Sequence, residues 1–297
     1  GIDLGSGNTL RGFDIGDAVV GLSGNAFGSL SVSEMRIFGT GQALDLVTGT
    51  ASVALDSIAS SNSPAGGLVL DSVSGSFTVS GLTSIDNAAG IGIHLINVPG
   101  GFSFGDVLIV NRNAAGIYIE GASGDAFTRE FGTVTINNPN PSNTFAFGID
   151  DTTAGGTIEV AGVQIDNGGF NGSALALFNN AGAVDIQGGS VGNSTGVTVR
   201  FAAGSGNHTL AAGIANTVGI SVQMLNNSSG TISVSGDVND QGDGIFLANN
   251  PGASMVFSGE LDLSTGAGNA FDASGGGTVS ATRSEEHTSE LQSLSHI

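Results

Sequence analysis

Three polar residues recur along the chain at intervals of about 25 residues. They are Asp71, His94 and Glu120. A histidine held between two carboxylates can act as a general base or can bind a divalent metal ion. We therefore take these three residues as candidate catalytic residues. The alternative interpretation is a solvated polar stripe in which the two acids only hold an imidazolium.

Two adjacent aspartates, Asp150 and Asp151, are a second candidate for acid–base chemistry. Consecutive residues of a strand point to opposite faces, so these carboxylates converge only if a bulge lies between them. A base for a lyase reaction is not indicated, because the sequence contains no lysine and its arginines are scattered.

The segment 237–244 has the highest density of oxygen ligands in the sequence. Its candidate calcium ligands are Asp237, Asn239, Asp240 and Asp243. The segment begins like an EF-hand loop, but Ala248 stands where the bidentate glutamate is required. The sequence therefore predicts at most a looser calcium site at this corner, and it carries no motif for another cofactor.

Two aromatic residues, Tyr118 and Phe246, are predicted to point outward and are candidate ligand-binding residues. Carbohydrate platforms use aromatic rings with a flat apolar face, and Trp and Tyr add a polar edge. The chain has one Tyr, no Trp and 16 Phe. Most of the phenylalanines occupy strand positions and are predicted to lie in the core.

A short repeat places these residues on strands. It consists of a small residue followed by an apolar, any and an apolar residue, as in Gly67-Leu68-Val69-Leu70. Clear copies begin at Ala43, Gly67, Gly90, Gly116, Ala174, Gly196, Gly219 and Gly244, and weaker ones at Ala18, Gly148 and Asn269. Their spacing averages about 25 residues, with two further alternating strands in each unit.

Three short strands in each unit predict one turn of a parallel β-helix. We expect an all-β fold of about 10–11 coils over residues 1–282 as a single domain. Counting from the start of each copy places Asp71, His94 and Glu120 in one outward column on three successive coils. Asparagines before the copies, at Asn87, Asn113, Asn193 and Asn216, are predicted to form corners and a hydrogen-bonded ladder.

The composition excludes several classes of protein. Only 11% of the residues are charged, 51 are glycine and none is cysteine, which argues against disulfide scaffolds and thiolate sites. Six basic residues face 26 acidic ones, and the net charge of −20 argues against nucleic-acid binding. No run approaches the roughly 20 apolar residues of a membrane helix, so we expect no membrane insertion.

On this repeat, the chain resembles the right-handed parallel β-helix proteins of the pectin-lyase-like superfamily. It is most similar to the Gly- and Asn-rich β-strand-repeat proteins of bacterial surfaces and autotransporter passengers. The resemblance implies a right-handed helix, but the superfamily contains lyases, hydrolases, tailspikes and adhesins. We therefore keep three functions open. They are a non-catalytic stalk or adhesive passenger, a polysaccharide lyase or glycoside hydrolase, and a phage tail fibre or tailspike section.

The two ends indicate a fragment of a longer protein. Residues 283–293 resemble the translated sequence of a common sequencing adapter, so we treat 283–297 as a non-native tail. The first residue already lies inside the repeat pattern. We expect the parent protein to be extracellular or on a bacterial cell surface, with carbohydrate or other cell-surface components as partners.

Overall fold

A computed structural model describes residues 1–121, 128–137, 145–266 and 268–282. Within these ranges the chain is an all-β parallel solenoid of about 11 turns with about 24 residues per turn, and it contains no helix. The prediction of a parallel solenoid is confirmed. The predicted tail at 283–297 lies outside the described residues.

Short strands separated by tight corners build each coil. In chain order they are β1 (Ile2–Asp3), β2 (Asn8–Arg11), β3 (Asp14–Ile15), β4 (Val20–Thr40), β5 (Gln42–Ser61), β6 (Leu68–Val79), β7 (Thr83–Asp86), β8 (Ile93–Ile96), β9 (Gly101–Phe104), β10 (Val107–Val110), β11 (Ile117–Glu120), β12 (Thr128–Ile136), β13 (Phe147–Asp150), β14 (Thr157–Phe170), β15 (Leu175–Phe178), β16 (Ala183–Ile186), β17 (Gly189–Ser194), β18 (Val197–Ala202), β19 (His208–Leu210), β20 (Gly213–Asn216), β21 (Ile220–Leu225), β22 (Thr231–Val234), β23 (Val238–Asp240), β24 (Ile245–Ala248), β25 (Ser254–Phe257), β26 (Leu261–Leu263), β27 (Phe271–Ser274) and β28 (Thr278–Ala281).

These strands stack into three faces, in which each strand pairs in parallel with its equivalent one coil away. The first face contains β8, β11, β13, β15, β18, β21, β24 and β27. The second contains β2, β9, β16, β19, β22, β25 and β28, and the third contains β3, β7, β10, β17, β20, β23 and β26. The longer strands β4, β5, β6, β12 and β14 continue around corners and serve more than one face.

The core is a set of apolar columns that run along the solenoid axis. On the first face, Leu68, Ile93 and Ile117 occupy one inward column, and all three have no exposed surface. On the second face, the rings of Phe104 and Phe131 stack with their centroids 5.3 Å apart. Full burial of such side chains contributes about 1.5–3 kcal/mol each, so every coil adds to a continuous core.

Polar side chains at the corners connect one coil to the next. Asn87 and Asn193 adopt left-handed φ angles of 53° and 60°, in agreement with the predicted corner role. A further ladder, which the sequence analysis did not predict, lies where the first face turns into the second. There Asn180, Asn227 and Asn250 are buried, and Asn227 Nδ2 donates to Asn250 Oδ1 at 3.1 Å. These amides satisfy backbone groups that the tight corner leaves without sheet partners.

Candidate functional site

The outward side of the first face carries two parallel columns of side chains. One column contains Val69, His94 and Tyr118 on three successive coils. The neighbouring column contains Asp71, Ile96 and Glu120, followed by Asp150. Four of the five candidate catalytic residues therefore lie on one face, but in two different columns.

The predicted single column of Asp71, His94 and Glu120 is wrong at His94, because Ile96 occupies the place between the two acids. The inward residue that begins this strand is Ile93, so the repeat starts at Gly92 and not at Gly90. A slip of two residues keeps a side chain outward and moves it to the adjacent column.

The register also brings two carboxylates together that the sequence analysis had kept apart. Glu120 pairs with Asp150 across β11 and β13, so their side chains leave the same face on adjacent coils. The repeat at this coil starts at Ala146, since Phe147 and not Ile149 pairs with Ile117. We call Glu120 and Asp150 the acidic pair.

Each member of the acidic pair contacts a ring from the neighbouring column. His94 Nε2 lies 2.8 Å from Glu120 Oε1, and both side chains are partly exposed. The Tyr118 hydroxyl donates to Asp150 Oδ2 at 3.1 Å, and Asn179 Nδ2 donates to Asp150 Oδ1 at 3.1 Å. Burial, together with the charges of Asp150 and Glu120, raises the pKa of Tyr118, so the phenol stays protonated and acts as a donor.

Four rings follow one another along the same face. His94 stacks on Tyr118 with centroids 5.4 Å apart and planes 13° apart. Phe145 lies 4.9 Å from Tyr118, and Phe178 lies 6.1 Å from Phe145. These residues come from successive coils, and all are partly exposed. We call them the aromatic strip.

A glycine makes the space for the third ring of the strip. Gly148 occupies the outward position next to Tyr118, and a Cβ atom there would lie 2.1 Å from Phe145 Cε2. The ring of Phe145 therefore covers the backbone where the other coils place an outward side chain. Phe145, Phe178 and Gly148 were missed in the sequence, where the pattern Phe-x-x-Gly at 145–148 was the only signal for Phe145 and Gly148.

The remaining acid–base candidates and the second ligand-binding candidate lie apart from this cluster. Asp151 is exposed at a corner with a left-handed φ of 53°, so it does not converge with Asp150. Asp71 accepts a hydrogen bond from its neighbour Ser72 at 2.8 Å. Phe246 is outward on the first face, but it lies between Gln223 and Asp272, several coils beyond Tyr118.

The four candidate calcium ligands do not converge. Asp240 points into the core with no exposed surface, where it accepts hydrogen bonds from the Ser221 hydroxyl and from the Gly244 N–H, the latter at 2.9 Å. Asn239 is exposed, because adjacent strand residues face opposite sides, and Asp243 is exposed in the bend that follows β23. Asp237 accepts the N–H of Glu260 at 2.9 Å. Within the described ranges, no group of three or more His, Cys, Asp or Glu side chains is arranged to hold a metal ion.

A cavity of about 250 Å³ lies on a different part of the surface, near the start of the second face. It contains no ionisable side chain. Its lining is formed by Gly7, Asn8, Thr9, Ser29, Leu30, Ser31, Thr50, Ala51 and Ser52. The residues of the acidic pair and of the aromatic strip do not line this cavity.

Comparisons with protein-family models, with curated proteins and with solved structures found no match. No helix long and apolar enough to cross a membrane occurs in the part of the chain that the structure describes.

Proposed function

We propose that this chain is a non-catalytic section of a large secreted or surface-anchored bacterial protein, in which it serves as a stalk or an adhesive passenger. Carbohydrate or other cell-surface components would be its partners. The observation that carries the proposal is that many of its acids are bonded from one coil to the next. They act as connectors along a rod, which is a structural use of a carboxylate.

These connections recur at corners of the solenoid. Asp106 and Asp237, at the corner before the third face, accept the backbone N–H of Thr133 and of Glu260 from the following coil, both at 2.9 Å. At the corner after the third face, Asp17 accepts the N–H of Thr40 at 2.8 Å. Side-chain amides provide the same link elsewhere. Asn111 donates to Asp86 at 2.9 Å, and Asn193 donates to Asp166 at 3.0 Å. A carboxylate with a fixed structural partner is less available for proton transfer to a substrate.

A second candidate is a polysaccharide lyase or glycoside hydrolase of the pectin-lyase-like type. The acidic pair supports it, because two carboxylates on adjacent coils can flank a glycosidic bond as acid and base or nucleophile. The imidazole of His94, 2.8 Å from Glu120, could accept a proton in such a site. Against it, Asp150 already accepts hydrogen bonds from Tyr118 and Asn179.

An assay of polysaccharide cleavage separates the two candidates. The full chain is incubated with a panel of acidic and neutral polysaccharides, with and without calcium, and new reducing ends and unsaturated products are measured. We expect no product from a sample that is folded and β-rich by circular dichroism. Product formation that disappears in Glu120→Gln and Asp150→Asn would contradict the stalk proposal and support the enzyme, provided that it persists in the second-face control Glu159→Gln.

A further inference from the structure

We propose that the aromatic strip and the acidic pair form a binding surface for a saccharide that carries protonated amino groups, such as a β-linked glucosamine oligomer. This inference rests on the proposed adhesive function, and it names the chemical class of the ligand. Neutral N-acetylated and uronate saccharides are the competing classes that the test must separate.

The first argument is the shape of the strip. Its four rings run along the solenoid axis over successive coils, with centroid separations of 5.4, 4.9 and 6.1 Å. A flat parallel sheet supports them, and Gly148 lets Phe145 lie directly on the backbone. A linear ligand laid along the axis would meet one ring after another. Because His94 and Tyr118 stack on each other, the ring of Phe145, tilted by 55° from that of Tyr118, offers the face on which a sugar ring can stack.

The second argument is the sign of the charge beside the rings. Glu120 and Asp150 lie beside the first three rings, in the column that Phe178 occupies on the next coil, and Asp71 lies in the same column two coils before Glu120. Arg112 donates to the Phe145 carbonyl at 3.4 Å, but it is only 4% exposed, and Arg200 lies on the coil that follows that of Phe178. A uronate chain would meet like charge here, whereas an ammonium group gains both a carboxylate partner and the face of the Phe145 ring.

The third argument is that the carboxylates keep acceptor capacity. A carboxylate offers about four lone-pair positions. Asp150 uses one bond on each oxygen, to Tyr118 and Asn179, and Glu120 contacts His94 through Oε1. The Glu120 side chain is 33% exposed, so an incoming N–H donor can reach it without displacing His94.

The test is a binding titration of the full chain with three oligosaccharides of equal length. They are a β-linked glucosamine oligomer, its fully N-acetylated counterpart and an oligogalacturonate. We expect the glucosamine oligomer to bind at least tenfold more tightly than the N-acetylated one, with an affinity that falls as salt is added. The oligogalacturonate is expected not to bind. Equal affinity for the three, or preference for the uronate, would overturn the inference.

Substitutions assign the binding to this surface. Glu120→Gln combined with Asp150→Asn keeps the shape of both side chains, and we expect it to remove the preference for the amine. Phe145→Ala is expected to weaken the binding of both the glucosamine and the N-acetylglucosamine oligomer. Tyr118→Phe keeps the ring and the fold, and we expect it to retain stacking. The control Glu159→Gln removes a carboxylate from the second face, and we expect it to leave the affinity for each oligosaccharide unchanged.

Two results would count against the site. If Glu159→Gln weakens glucosamine binding as much as the double variant does, the attraction is a general effect of the acidic surface. If the double variant binds like the unmodified chain, the acidic pair is not involved. Both results leave the stalk proposal standing, because only cleavage products in the polysaccharide assay would contradict it.

Discussion

At the scale of single residues, His208 shows how an ionisable side chain can be built into an apolar column. It points inward on the second face between Val184 and Ile232, and it is only 4% exposed. Its ring stacks on Phe201 with centroids 6.0 Å apart, and Nδ1 has no hydrogen-bond partner among the described residues. Burial lowers the pKa of His208 from 6.5 to about 4, because the charged form loses its hydration.

This burial predicts a loss of stability in mild acid. The folded pKa lies below the unfolded one, so the unfolded chain binds the proton first as the pH falls from 6.5 toward 4. The difference between the two pKa values corresponds to a loss of about 3 kcal/mol in the free energy of unfolding. This loss is absent above pH 6.5 and complete below about pH 4. Thermal unfolding at a series of pH values should show this loss, and His208→Val should lack it.

Other acids titrate in the same range, so the informative quantity is the difference between His208→Val and the unmodified chain. The control Ile232→Val changes the neighbouring inward position of the same column without an ionisable group and should leave the shape of the pH profile unchanged. A difference that stays constant between pH 7.5 and pH 4.5 would contradict the prediction.

At the scale of elements, the corner from the first face to the second repeats one backbone conformation. The strand pairing moves the starts of the copies predicted at Gly196 and Gly219 to Thr198 and Ser221, because Val199 pairs with Leu175 and with Val222. Counted from the starts that the pairing gives, the residue five places later has a left-handed φ. Examples with φ between 47° and 58° are Thr48, Ser72, Asn97, Asp151, Asn179, Ala203, Asn226 and Asn249. Asparagine and glycine tolerate this conformation, whereas an alanine in it is strained by roughly 1–2 kcal/mol.

Ala203 therefore offers a direct test of the corner. We expect Ala203→Gly to raise the free energy of unfolding by about 1 kcal/mol, because glycine removes the strain of φ 58°. The matched control is Ala202→Gly, one residue earlier in β18, which should lower stability by a similar amount. Denaturant unfolding of both variants measures the two effects, and the same sign for both would contradict this account.

The corner also explains which parts of the site could be predicted from the sequence. The period of the apolar residues predicts the solenoid, because alternation and repeat length depend only on residue type. The period does not determine the start of a repeat where small and apolar residues alternate, as in Gly90-Ile91-Gly92-Ile93, which offers two possible starts. Counting five residues back from the left-handed Asn97 selects Gly92, which is the start that the strand pairing has. The ring of Phe145 follows from a packing contact, which no periodicity contains.

At the scale of the whole molecule, residues 1–282 carry 23 acidic and five basic residues, a net charge of −18, along a rod about 50 Å long. Some of this charge is stacked in register, because Glu130, Glu159 and Asp185 occupy one outward column on three successive coils of the second face. Like charges directly opposite each other destabilise a sheet. The rod should therefore become more stable as salt screens its own field.

Glu159→Gln tests this effect in the middle of the column. At low ionic strength we expect it to raise the free energy of unfolding by about 0.5 kcal/mol, and we expect the gain to vanish in 1 M NaCl. Glu260→Gln removes an exposed acid outside the column and should give a smaller gain. Chemical unfolding at the two salt concentrations checks both variants, and a gain for Glu159→Gln that does not depend on salt would contradict the electrostatic explanation.

The parallel pairing of successive coils has a mechanical consequence for a stalk. Hydrogen bonds between coils run along the axis, so a force applied to the two ends loads the bonds of the outermost coil first. The rod would then unspool one coil at a time instead of shearing as a block. Each coil of about 24 residues would release roughly 80 Å of extended chain. Such a stalk acts as a tether that lengthens in steps under load and keeps its remaining coils intact.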